Sequence, residues 1–458
     1  MEARQDALHE GLHGSESMRQ SLRLLAARGA RWFVTMKVRS RLLVRPPRLD
    51  RSLRWGFLLG VGCGVFAAGE PADEAGFREA ESESESIFAI LRRRDSLAGR
   101  GERSLAPEWF EAWRGWRIER TDRFGIDLTW SCAALWQAAV GGGDERTASS
   151  GDFTCGGSWT MFGAKQDRPL SLNFRFRHRQ AWALRSPAEL GRELGANWGT
   201  TNGFNDRGFE VPDFFMRQFI GSRDLELRYG QLSVENQLDR HALRGASQSF
   251  LNRAFSTNPA VAFPRFGAGA TMQWAPSGGW DFTVAITQVQ ASNAGDQVDF
   301  QIDSSALFYG VQGGWSFDGW GGDPARLQAL CWYADPVREA GRSSGHGISL
   351  TVEQQFEEEG IRAFARFAHA ADEATDAAKL VALGIGQTRR EFDLLGLGLA
   401  AGDSSATGNW QGVLECFYRR QISSEFHITP SMQLLVGNGF EGGGGLRLIP
   451  GVRGRLAF

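Results

Sequence analysis

The feature that most constrains this chain is a change to two-residue periodicity near Phe124, kept from there to the C-terminus. Leu172, Phe174, Phe176 and His178 alternate with Asn173, Arg175, Arg177 and Arg179. Successive side chains of a strand point to opposite faces, so one face here is greasy and the other almost all arginine. A soluble sheet does not bury three neighbouring arginines in its core, so the apolar side must meet either a core or lipid. The same alternation runs through Phe124–Ile126–Leu128–Trp130, Leu225–Leu227–Tyr229, Trp280–Phe282–Val284–Ile286 and Ile348–Leu350–Val352. In the last stretch Val452, Leu456 and Phe458 share one face, and Arg453 and Arg455 the other.

About sixteen such segments of roughly ten residues can be counted, the length a tilted strand needs to cross a bilayer. The first is expected at 124–140, the fourth at 213–220 and the last at 446–458. Short links (221–223, 276–278, 318–323, 357–360, 422–424) alternate with long ones (182–212, 233–262, 291–305, 335–344, 401–409, 437–445). Short turns on one rim and long loops on the other are the habit of an antiparallel transmembrane β-barrel. An even strand number leaves both termini at the short-turn rim, and closure removes the strand edges that lipid cannot hydrogen-bond. The expected fold class is therefore all-β: a 16-stranded antiparallel transmembrane β-barrel over 123–458, preceded by a short N-terminal helical segment.

Composition agrees. The 458 residues have a formal net charge of -2, and the mean hydropathy of -0.30 is what alternating faces average to. No run of eighteen charge-free apolar residues follows the first seventy positions, which excludes membrane-spanning helices from the mature chain. Near-zero charge and the lack of a basic run there argue against a nucleic-acid partner. Lys37, Lys165 and Lys379 are the lysines, so nearly all cationic charge is arginine. Cys132, Cys155, Cys331 and Cys416 show no CxxC spacing. Cys132 and Cys155 can pair only if their strands are neighbours, and the plainer reading makes all four small apolar fillers. The histidines have no metal-ligand spacing. The glycine clusters at 141–143 and 441–445 precede no phosphate-cradling helix, and GxSxG and HExxH are absent. No catalytic group, metal or cofactor is expected.

Ahead of the alternating region, Arg45, Arg48, Arg51 and Arg54 precede the apolar run WGFLLGVGCGVFAAG (55–69), and an acidic stretch follows. A basic region, a short apolar core and a small-residue end make a secretory signal peptide, with cleavage after Gly69. Residues 1–69 are thus read as a signal with an upstream extension, Met36 being an alternative start. Residues 70–122 are read as an acidic linker followed by a short periplasmic helix, with Pro107 in its first turn and Trp109, Phe110, Trp113 and Trp116 at helical spacing.

Two stretches resemble the carbohydrate-selective porin (OprB) family. One is LRYGQLSVENQLDR (227–240), running on through SQSFLNRAFSTNPAVAFPRFGAGATMQWAPSGGWDFTVAI (247–286). The other is the C-terminal end, where Glu415, Tyr418, Ile428, Thr429, Pro430 and Gln433 look like the family's last three strands. The resemblance covers 123–458 and is most specific at its end; Cys132 and Cys416 depart from the family pattern. It implies a water-filled channel in the outer membrane of a Gram-negative-type bacterium, open to passive diffusion of small sugars. It also implies that the loop after the fifth strand, 233–262, folds inward and narrows the pore. Glu235, Asp239, Arg240, Arg244, Asn252, Arg253 and Phe255 are then the candidate constriction and sugar-contact residues, with Arg175, Arg177, Arg217 and Arg228 on the pore wall. Arginine offers a planar donor fork, carboxylates accept from hydroxyls, and an aromatic face stacks on a sugar ring. Solvated charge pairs across the loop would use the same residues. The expected partners are sugars, outer-membrane lipid and barrel-assembly machinery reading the terminal aromatic Phe458; a homotrimer, common among general porins, stays open. Two other readings remain: a general or structural porin without a sugar site, and a secreted β-rich carbohydrate-binding protein or hydrolase. The last would want paired carboxylates in a cleft, and the even strand rhythm speaks against it.

Overall fold

The computed structural model describes residues 108–458, except 141–145, 164–168, 222–223, 290–294, 299, 301–305, 338–342, 372, 391, 424, 439–444 and 458. The expected signal peptide and acidic linker, Pro107, and the terminal Phe458 lie outside the described residues.

Sixteen strands close into one antiparallel barrel in which every strand pairs with its sequence neighbours and the first pairs with the last. They are β1 (Ile126–Ala139), β2 (Arg146–Phe162), β3 (Leu170–Ala181), β4 (Gly208–Phe219), β5 (Leu225–Leu232), β6 (Gly267–Trp274), β7 (Trp280–Gln288) and β8 (Leu307–Asp318). The second half is β9 (Pro324–Ala334), β10 (Gly345–Phe356), β11 (Ile361–Ala371), β12 (Ala377–Arg389), β13 (Asp393–Ser404), β14 (Trp410–Gln421), β15 (Phe426–Gly437) and β16 (Gly445–Ala457). The sixteen expected strands are all present.

The alternation sorts the faces as the sequence implied. Leu395, Leu397 and Leu399 of β13 point outward and are exposed, whereas Ala400 is buried. An exposed apolar band is the kind of surface a transmembrane barrel turns outward. Near the short-turn rim it ends in stacked aromatics, with Trp280 and Trp315 5.6 Å apart and Trp274 and Phe282 5.7 Å apart. Such girdles sit at the bilayer interface.

Several boundaries differ from the sequence expectation by a few residues, β2 starting at Arg146 rather than 150 and β6 at Gly267 rather than 263, and two of the differences have a visible cause. Helix α1 (Glu108–Phe124) extends through Phe124, which the alternation had assigned to the first strand. Gly125, at φ 67, ends it by donating its N–H to Thr121 O at 2.9 Å, a left-handed stop that favours glycine. The helix lies against β1, with Trp113 edge-on to Trp130 at 5.0 Å. Strand β4 begins at Gly208 rather than 213. Pro212 lacks the N–H a ladder needs, and the strand absorbs it in a bulge where Arg175 opposes Asp213 but Arg177 opposes Glu210. Cys132 stands across from Phe153, and Cys155 from Trp130, and both thiols are free.

Candidate functional site

Two long loops carry structure of their own. In the β3–β4 loop, Ser186 caps α2 (Pro187–Glu193) in a reciprocal box with Glu189. In the β5–β6 loop, the Ser233 N–H donates to Asp213 Oδ1 at 2.9 Å, and Asn252 caps α3 (Arg253–Ser256) through Ala254 N. The loops are pinned to each other: Trp198 Nε1 donates to Asn252 Oδ1 at 3.0 Å, and Asn202 N to Leu251 O at 3.1 Å.

The β5–β6 loop is bound across the inside of the barrel. The Asp239 N–H donates to Gln312 of β8 at 2.7 Å and Ala242 N to Glu353 of β10 at 2.5 Å. Both carboxylate oxygens of Glu415 on β14 accept loop amides, from Leu251 N at 2.6 Å and Asn252 N at 2.8 Å. Gln433 of β15 accepts from Asn252 Nδ2 at 3.0 Å. Arg366 of β11 donates to the backbone oxygens of Thr257 and, at 3.0 Å, Asp239. Arg453 of β16 does the same to Ala246 and, at 3.0 Å, Ser249. Glu415 is the sixth of twelve residues in β14 and Arg366 the sixth of eleven in β11, so the loop hangs at mid-height. Gly398 of β13 permits the close approach, because a Cβ there would meet Phe250 at 2.9 Å and Phe255 at 3.0 Å.

The seven candidate loop residues divide into two groups. Asp239, Arg244, Asn252 and Phe255 are buried. Asp239 accepts from Asn258 Nδ2 at 2.7 Å and from Ser349 Oγ at 2.8 Å. Arg244 donates to Glu235 O at 2.6 Å and Ser256 O at 3.3 Å, and Phe255 packs on Phe250. Arg240 is half-buried, its carbonyl accepting from Gln328. Glu235 and Arg253 are partly exposed and line a cleft with Asn202, Thr257, Phe263, Thr375 and Asp376. There Arg253 meets Asp376 at 2.5 Å, and Glu235 Oε1 accepts from Asn202 at 2.9 Å and Arg244 at 3.0 Å. Burial would raise the Glu235 carboxyl, but Arg244, Thr257 and Asn202 together hold it below the usual carboxylate range. The cleft thus presents a carboxylate, a guanidinium, an amide and a ring, a set suited to hydroxyl groups.

Each of the four wall arginines meets an acid. Arg175 meets Asp213 at 2.6 Å, Arg177 meets Glu210 at 3.2 Å, and Arg217 and Arg228 share Glu226.

The model of the carbohydrate-selective porin, OprB family matches residues 190–441. This chain belongs to that family. Among solved structures, the high-pH structure of Pseudomonas putida OprB is similar at a TM-score of 0.63 and 15% identity, covering 76% of this chain and 97% of that one. The low-pH structure of the same protein gives a TM-score of 0.49 at 13% identity, covering 76% of this chain and 96% of the other. No curated protein matches the chain. Family and barrel together make the chain a porin, whose closed sixteen-strand wall fits passive diffusion.

Among residues of this porin, sequence reasoning had no means to place Asn202, Thr375 and Asp376 beside Glu235 and Arg253. They come from the β3–β4 and β11–β12 loops, far apart in the chain. Glu415 and Gln433 were visible only as family-like residues, and nothing in their spacing announced that they hold the loop. Arg366 and Arg453 sat on inward positions without any motif around them.

Proposed function

We propose that this porin admits small carbohydrates across an outer membrane, and that the loop at 233–262 forms its constriction. The observation that supports this best is the binding of that loop to the wall at mid-height, through Glu415, Gln433, Arg366 and Arg453, with the Glu235–Arg253 cleft left partly open. Glu235, Arg253 and Arg240 are the residues we assign to sugar hydroxyls. Asp239, Arg244, Asn252 and Phe255 hold them in place. Arg175, Arg177, Arg217 and Arg228 give the wall its charge. The basic-apolar-small pattern at 45–69 supports export, and the apolar band supports lipid as the surrounding medium. Insertion would use barrel-assembly machinery reading the terminal strand.

Planar-bilayer recording with a panel of sugars tests the reading. Sugars should block the current in a saturable way, and Arg253→Gln should weaken the block while the protein keeps its heat-modifiable gel mobility. A channel through which sugars pass without any saturable block would be a general porin, and the assignment of the cleft would be wrong.

A further inference from the structure

Beside the cleft lies a second charged group, of which the sugar reading uses Arg177 alone, as wall charge. Glu210, at the start of β4, is fully buried and gathers four arginines. Arg265 Nη2 donates to its Oε1 at 2.7 Å. Arg177 stands 3.2 Å from Oε2, Arg179 contacts the same oxygen, and Arg207 lies 3.8 Å from Oε1. One carboxylate neutralises one of these charges. Asp152, across from Arg179 on β2, Asp206, whose Oδ1 accepts the Ala181 N–H, and Asp296, next to the Gly295 that abuts Arg265, flank the group, but among the described residues Glu210 is the acid that makes ion pairs with these four arginines. The group is reachable, because the Arg207 side chain is 48% exposed and that of Arg265 33%. Among the described residues, Arg265 Nε has no hydrogen-bond partner. Burial, followed by repulsion from Arg265, holds Arg207 below the usual arginine range.

The group adjoins the cleft through two short stretches of chain. Asn202 lines the cleft, and Gly203, next to it, lies against Arg179 Nη1. Phe263 lines the cleft, and Arg265 follows two residues later. Hydroxyl-binding groups and four guanidiniums that share one carboxylate therefore stand side by side. Guanidinium forks match the oxygens of carboxylate and phosphate, and charge-assisted bonds of this kind are the stronger ones.

We propose that the arginines around Glu210 form an anion-binding station next to the cleft, and that the favoured solutes include sugars bearing a carboxylate or phosphate. The sugar half of this rests on the reading of the cleft given above; the anion half stands on the arginine cluster itself.

The test compares current block by glucose, glucuronate, glucose 6-phosphate and inorganic phosphate in planar bilayers at low salt, where exposed charges are least screened. At least one charged sugar should block at a concentration roughly tenfold below that of glucose. The comparison of the two identifies the preferred oxyanion. Inorganic phosphate should block more weakly than glucose 6-phosphate. Arg207→Gln with Arg265→Gln should abolish the preference while the glucose block stays. Arg207→Gln alone, at a half-exposed loop position, should reduce it and guards against misfolding of the pair. Charged sugars that block no better than glucose, or a preference that survives both variants, would overturn the proposal, as would inorganic phosphate matching the sugar phosphate. If glucose fails to block but charged sugars still do so in an Arg207-dependent way, the anion station stands and the neutral-sugar reading falls.

Discussion

Glu415→Leu should release the constriction loop without harming the barrel. The Glu415 carboxylate is completely buried, and its two oxygens take the Leu251 and Asn252 amides at 2.6 and 2.8 Å. Leucine fills similar space but accepts nothing, so two buried N–H groups lose their partner. Each costs about 1–3 kcal/mol. Water from the lumen can recover part, so about 2–4 kcal/mol is a fair total, equivalent to roughly a thirty- to thousandfold increase in loop opening. The β14 ladder uses backbone groups alone and is untouched. Glu415→Gln keeps one accepting oxygen and turns an NH₂ toward the other amide, so it should cost about half as much. The readouts are single-channel conductance with its noise and tryptic cleavage after Arg244 and Arg253. Both should rise in the order wild type, Gln, Leu, with normal heat-modifiable mobility throughout. Equal protease resistance and equal conductance in all three would show that the carboxylate does not hold the loop.

Arg366→Met should free the Asp239 and Thr257 carbonyls and leave the buried Asp239 carboxylate short of its cation, costing about 3–5 kcal/mol in loop docking by urea titration followed by proteolysis. Leu397→Arg, in the middle of β13 on the outer face, should lower barrel stability in lipid vesicles by about 2–4 kcal/mol, against a mild effect for an inward Thr283→Ala. Arg244→Ala should loosen the loop and Arg253→Gln should leave it docked, a contrast read by chymotryptic cleavage after Phe250 and Phe255, since Arg244 is buried among loop carbonyls while Arg253 faces the cleft. His241, stacked on Phe364 and donating Nε2–H to Phe255 O, is held below its ordinary value of 6.5 by burial and then by Arg366. Its neutral form therefore supports docking above about pH 6.5, and that support is lost as pH falls through the lowered value; His241→Phe should flatten this acid-side increase in cleavage.

The barrel was legible because its rule is local. An outward–inward period of two, repeated over segments of bilayer length, needs no knowledge of distant partners. Two of the boundary errors fell where a local rule competed with another. Pro212 masked the first half of β4, and Phe124 fitted both the end of a helix and the start of a strand. The inward loop was a different matter. Only the family resemblance pointed to it, because its holding bonds join residues such as Leu251 and Glu415, 164 positions apart. A buried Asn, Asp or Arg in such a loop has the same composition as a solvated one. Asp239 and Arg244 carry the same charges as Glu235 and Arg253, and only packing separates those that hold the loop from those that face the cleft.

The inner wall divides its polar groups by position around the barrel. From β8 to β16, Gln312, Glu353, Arg366, Glu415, Gln433 and Arg453 are engaged by loop backbone or loop side chains. Buried polar groups are tolerable only when matched, and the loop supplies their partners. From β3 to β5 the inward arginines meet acids on the neighbouring strand instead, and four arginines share the one carboxylate of Glu210. One side therefore fixes the shape of the passage while the other sets its field. Changes on the two sides should separate in measurement. Neutralising Arg207 and Arg265 should shift the zero-current potential toward cations with no gain in tryptic cleavage of the loop. Glu415→Leu should do the reverse, opening the loop with little change in ion preference per open channel. If both variants move both readouts together, the loop and the arginine cluster act as one unit.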